Sequence, residues 1–263
     1  MKEYESSWDE FKQSISGDIK QARDKRMCRG QADASWPLAT SFHRQNLDLS
    51  LNEYFDLINQ LAEIVGALEN RAIDTRDPET NASFLAYLQH HGFPTPILDW
   101  TLSPYIAAYF AFSELRPDLI KPTQRVSIFM FDFSKWMENV PAVDNPLEST
   151  PHVNIVHPRS AGNLRLIRQQ GHYFTFTNVF DVGEFIQARE QTSQVCYLEK
   201  YNLAASERSY VMNDLEAMGI NSYSLFRTTD ALCQHLNDAL FLRSPSKEKL
   251  KDRLKRVLQT VTV

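Results

Sequence analysis

The apolar positions of the chain change period several times, and each change marks an element. SWDEFKQSISGDIK opens at Ser7, a preferred N-cap, and reads as a short amphipathic helix. RMCRGQ (26–31) reads as a strand running into a turn. Ser50 and Glu53 have capping-box spacing, and Tyr54, Phe55, Ile58, Leu61, Ile64, Val65 and Leu68 follow at helical period. A further helix is predicted over 82–91, ended by Gly92 and Pro94. ILDWT (97–101) is a short strand, after which Ser103 caps a helix with Pro104 in its first turn. RVSIFMFDF (125–133) is the clearest strand, and HYFTFT (172–177) and QVCYLEKY (194–201) are two more. Helices are predicted over 205–217, 229–241 and 246–260. Strands and helices mix without regular βαβ alternation, which points to α+β.

Composition narrows this picture. The chain has 263 residues, 43% hydrophobic and 23% charged, so it is globular rather than disordered. One domain over 1–263 is expected, with a core about 26–227 and a C-terminal helical extension over 228–263. The proline-rich stretch 138–162 is either a long surface loop or a boundary between two lobes. A net charge of −5 argues against a globally basic nucleic-acid binder. KEKLKDRLKR (247–256) is a local basic run, read first as the solvated face of an amphipathic helix. No run of 18 apolar residues and no leader-like apolar segment occur, so a soluble, cytoplasmic protein with no membrane partner is expected. Cys28, Cys196 and Cys233 lie far apart, which disfavours a disulfide framework or a zinc site.

Candidate chemistry concentrates in LQHHGFPTPILDWTLSPYIAAYFAF (88–112). Thr101 and Ser103 lie where a strand ends and a helix begins, a corner suited to an anion; alternatively, Ser103 is only a cap. Asp99 and Trp100 point to opposite faces of their strand. Asp99 is either an acid/base in a cleft or a satisfied buried acceptor; Trp100 is either a stacking platform or core. His90 and His91 are adjacent on a helix and cannot point at one ion, so no metal site is expected. Arg29-Gly30-Gln31 sets a guanidinium at a strand end, for a phosphate or for a structural salt bridge. Arg165, Arg168, Gln169, Gln170 and Gly171 form a third cluster, or a helix end with a glycine cap. No GxSxG, P-loop or GxGxxG is present.

RGQADASWPLATSFHR, LQHHGFPTPILDWTLSPYIAAYFAF, RLIRQQGHYF and INSYSLF, in that order across about 29–226, resemble the FRG-domain family. Cys28 stands where that family has an aromatic residue, Pro96 where it usually has Arg, and Arg227 where Pro is common. The resemblance implies a module of toxin or anti-phage defence systems, with a possible antitoxin or other defence partner. The Arg-Gly strand and the Ser/Thr strand leading into SPxxAxxFA also resemble the first two motifs of ADP-ribosyltransferases. That resemblance implies a mixed or antiparallel split sheet with flanking helices and NAD as substrate. The acceptor would be nucleic acid, a nucleotide or a protein. Arg29, with Gly30 and Gln31, would hold the NAD phosphates. Thr101 and Ser103 would line the nicotinamide side, and Trp100 or Tyr109 would stack on a ring. The acidic third motif has no glutamate in the strand after QQG, so His90, Asp99 and Gln170 are the catalytic candidates, with Glu184 and Glu190 further along. A non-catalytic nucleotide- or nucleic-acid-binding sensor and a His/Asp hydrolase or nuclease are the alternatives.

Overall fold

Two sheets that touch at one point organise the chain. The computed structural model describes residues 1–22, 25–45, 49–143, 145, 149–158, 164–171, 173–242 and 255. The strands are β1 (Lys2–Ser6), β2 (Arg26–Gln31), β3 (Ile97–Trp100), β4 (Arg125–Asp132), β5 (Val153–Val156), β6 (Tyr173–Thr177) and β7 (Leu198–Ala204). The first helices are α1 (Trp8–Ala22), α2 (Ser41–Arg44), α3 (Leu51–Leu68), α4 (Pro78–His90), α5 (Pro104–Ser113) and α6 (Phe133–Asn139). They are followed by α7 (Leu164–Arg168), α8 (Val182–Ser193), α9 (Arg208–Ala217), α10 (Ser222–Phe226) and α11 (Thr229–Asn237). The architecture is α+β.

The larger sheet has the order β1-β7-β4-β2, with β1 parallel to β7 and the other pairs antiparallel. The smaller sheet, β3-β6-β5, is wholly antiparallel. Among the described residues one bridge joins them: Cys28 N donates to Thr101 O (2.6 Å), and Thr101 N donates to Cys28 O (2.8 Å).

Helix α5 shows how sequence sets the packing. PYIAAYFAFS is apolar all round, as a helix buried on several sides must be. It packs on β2, β4 and α9. Gly30 makes the β2 contact possible, because a Cβ there would lie 1.9 Å from Ala107 O and 2.7 Å from Ala111 N. The core around α5 includes Trp8, Phe11, Cys28, Ile128, Phe112 and Met212. A second core, with Met27, Trp100, Phe131, Trp136 and Leu198, lies on the other side of β2. A third packs α3 and α4 against β3 and β6 through Tyr54, Ile58, Phe84, Phe174 and Phe176.

The capping expectations hold. Ser7 and Glu10 bond reciprocally at the start of α1, Ser50 and Glu53 do so at α3, and Ser103 caps α5. Several expectations need correction. β1 lies in the charged N-terminal stretch, which carries no apolar pattern. It forms as an edge strand against β7, with Tyr4 stacked on Tyr201 at 4.8 Å. Its charged residues suit an exposed edge. The stretch 138–162 is not one loop, since it contains β5, which pairs with β6. β7 runs over 198–204 rather than 194–201, and α4 begins at Pro78, capped by Asp77. Residues 205–207 form a 3-10 turn before α9, and 238–242 a π-helix after α11. The helix over 246–260 and the basic run within it, Lys255 apart, lie outside the described residues.

Candidate functional site

Where the two sheets diverge beyond the Cys28–Thr101 bridge, a cleft of about 420 Å³ opens. Arg29, Gln31, Trp36, Arg44, Asp99 and Gln169 are its principal polar and aromatic walls. Strand alternation places Cys28 and Gly30 toward α5, and Met27, Arg29 and Gln31 toward the cleft side. The Arg29 side chain is only 16% exposed, and its Nη1 donates to the Asp99 carbonyl (2.8 Å) and to Asp99 Oδ1 (2.5 Å). Arg29 Nε is buried without a partner.

Asp99 keeps 51% of its side-chain surface open to the cleft. Burial by the cleft walls raises its carboxyl, but the charge and hydrogen bond of Arg29, with the charge of Arg165, outweigh this. Its pKa therefore lies below the usual aspartate value. A second donor, Gln89 Nε2, reaches Asp99 Oδ1 at 3.2 Å, while Thr95 Oγ1 donates to Gln89 Oε1 at 2.6 Å. The Asp99 carboxylate can only accept, so it fixes the amide end of Gln89 that faces it, and the Thr95 hydroxyl donates to the other end. Asp99 is a held anion at neutral pH, not a proton donor.

Three residues of the cleft carry buried polar atoms with no partner: Arg29 Nε, Gln31 Oε1 and Gln169 Nε2. Each such atom costs about 1–3 kcal/mol when left unmade. Their shared location makes the cleft the candidate ligand site of the described residues. Trp36, 47% exposed, stands at the wall as an apolar platform. Arg44 and Glu114 add one charge of each sign. Burial lowers the Arg44 pKa and the charge of Arg29 lowers it further, against the pull of Asp99 and Glu114.

The segment after α7 is tied to the end of β3. Thr101 Oγ1 donates to Gln169 O (2.7 Å), and Leu102 N donates to Gln170 O (3.0 Å). The left-handed residue that ends α7 is Gln170 (φ 49°), not the glycine after it. Its side chain does not line the cleft; Gln169 does.

The expected site residues therefore divide. Arg29, Gly30, Gln31, Asp99, Trp100 and Thr101 line one cleft. Gly30 is there for close packing on α5. Trp100 is 2% exposed, donates from Nε1 to Thr175 Oγ1 (3.1 Å) and packs on Phe131, so it is a core residue and not a stacking platform. A buried tryptophan of this kind contributes about 4–6 kcal/mol of apolar burial. Tyr109 is 3% exposed, in the core around α5, and cannot stack on a ligand; Phe110, next to it, reaches the cleft. Ser103 accepts from Ile106 N (3.3 Å), and Thr101 Oγ1 accepts from Ser103 N (3.1 Å). Those N–H groups are taken, so this helix start is not an open anion site.

His90 does not line the cleft, and its Nδ1 lies against Arg165 Nη1. Burial first, and then the charges of Arg165 and His91, lower its pKa, so it is neutral at pH 7. Cys28 is buried, and burial pushes its thiol up to about 12, so it is no nucleophile. Among the described residues, no three His, Cys, Asp or Glu side chains come together in a metal-binding group. No helix among them is long and apolar enough to cross a membrane.

Sequence reasoning missed Gln89, Trp36, Arg44 and Glu114. Gln89 was findable as the neighbour of His90, but which of two adjacent helical residues faces a cleft depends on tertiary placement. No curated protein and no solved structure matches the chain. The family model of the FRG domain matches residues 24–118, the stretch that supplies Arg29, Gln31, Trp36, Arg44, Gln89 and Asp99, and the chain carries an FRG domain there.

Proposed function

We propose that the cleft binds NAD and that the protein is an NAD-dependent ADP-ribosyltransferase of a toxin or defence system. The observation that carries this is Arg29: a guanidinium held by Asp99 through Nη1, with a buried, unpartnered Nε at a cleft wall. That leaves a nitrogen for a phosphate oxygen, the charge-assisted contact that arginine makes best. Two sheets joined at a single bridge also agree with the split sheet that the motif resemblance implies. Trp36 offers a ring-stacking surface.

In this reading, the bond between ribose C1′ and the nicotinamide nitrogen breaks, and its electron pair leaves with nicotinamide. An acceptor nucleophile forms the new bond to C1′ and gives its proton to solvent. Asp99, held ionised, offsets the positive charge that develops on the ribose, the task that the missing glutamate would perform. His90 and Gln170 have no part in it.

The test is nicotinamide release and NAD binding by purified protein, wild type beside Arg29→Ala, with and without DNA, RNA and a cell lysate. Release that requires Arg29 supports the transferase; normal binding and cleavage by Arg29→Ala overturns it. A second reading, a sensor that binds a nucleotide without turnover, is favoured by one observation: the Asp99 carboxylate is already paired with Arg29. It predicts Arg29-dependent binding and no release under any condition. Neither His90 nor His91 lines the cleft beside Asp99, which disfavours a His/Asp hydrolase or nuclease.

A further inference from the structure

Gln31 is 5% exposed, and its Nε2 donates to Pro37 O at 3.1 Å. That bond fixes the amide, because the flipped amide would set two carbonyl-type oxygens against each other. The Oε1 atom is therefore an oriented acceptor, buried and unpartnered, on the cleft side of β2. Gln169 Nε2, on another wall of the same cleft, and Arg29 Nε, two residues before Gln31 on β2, are buried donors without partners. A phosphate satisfies donors only and leaves Gln31 Oε1 unmet. The set calls for an uncharged planar group with a donor and an acceptor side by side.

We infer that Gln31, with Gln169, reads an amide-like edge of the ligand and sets its specificity. This rests on the dinucleotide reading above. In NAD two groups present such an edge: the carboxamide of nicotinamide, and the amino group and ring nitrogen of adenine. Both offer the N–H that Gln31 Oε1 requires and an acceptor for the Gln169 donor.

The experiment is calorimetric binding of three ligands to the full chain. They are NAD, the analogue with a carboxylate in place of the carboxamide, and the analogue with hypoxanthine in place of adenine. The carboxylate has no donor, and hypoxanthine presents oxygen where adenine presents its amino group. One analogue should bind roughly tenfold or more weakly, and which one names the edge read. If both are weakened, Gln31→Met should abolish the penalty of the edge it reads, and penalties unchanged in that variant overturn the inference. Should Gln31→Met fail to fold, Gln169→Leu, at a less buried site, serves the same comparison. Equal binding of all three ligands overturns the inference and leaves the dinucleotide reading intact, whereas no binding of NAD itself overturns both.

Discussion

Arg29 and Gly30 are neighbours on β2 and face opposite ways. The Gly30 side of the strand is closed: α5 approaches so near that a single methyl group has no room. The Arg29 side is open and polar, with buried donors and acceptors left unmet. One face spends its residues on packing, the other accepts a cost in stability to keep a site. The same peptide thus anchors the larger core and shapes the cleft, so damage to the two faces should be separable.

Gly30→Ala should show the largest effect. Its Cβ meets backbone, which cannot rotate away, so a loss of about 3 kcal/mol or more in denaturant unfolding is expected, or no folded protein at all. Asp99→Asn keeps size and shape but removes the anion; nicotinamide release should fall by about 10²–10³ in kcat with NAD binding little changed. A drop in binding with no change in kcat would refute that role.

Arg29→Ala should weaken NAD binding about 10–100-fold in calorimetry. It should shift stability by no more than about 1 kcal/mol, since its partner carboxylate is half open to water. If Arg29→Ala unfolded as readily as Gly30→Ala, the two faces would not be separable. The pH profile sharpens the contrast. A lowered Asp99 pKa means that the ion pair is complete above the ordinary aspartate value of about 3.9 and is lost only as pH falls through the lower, folded value. Turnover should therefore show no Asp99-dependent limb between about pH 5 and 8; a limb there that vanishes in Asp99→Asn would contradict the assignment. The smallest effect is expected for His90→Ala, within about twofold in turnover and about 0.5 kcal/mol in stability.

Much of this site was legible in the sequence because its elements are locally encoded. RMCRGQ, ILDWT and the Ser103 cap announce β2, β3 and α5, and their motifs brought Arg29, Asp99 and Thr101 forward. What the sequence withheld was which side of each element faces the cleft. Asp99 and Trp100 were assigned opposite faces, yet only the pairing of β3 with β6 and the bridge to Cys28 decide that Trp100 is the core side. The same holds on α4, where His90 drew attention by its chemistry and Gln89 faces Asp99. β1 was hidden for another reason: an exposed, charged edge strand has no apolar period, and only its partner makes it a strand.

That partner has a consequence in time. Lys2 pairs with Glu199, so β1 must wait for nearly two hundred further residues before its place in the sheet exists. At about 5–20 residues per second, that is on the order of ten seconds or more on the ribosome. Until β7 arrives, the apolar strand β4 has β2 on one side and an unpaired edge on the other. A chain halted before residue 198 would carry that edge exposed, and strand-to-strand aggregation is the failure expected of such truncated products.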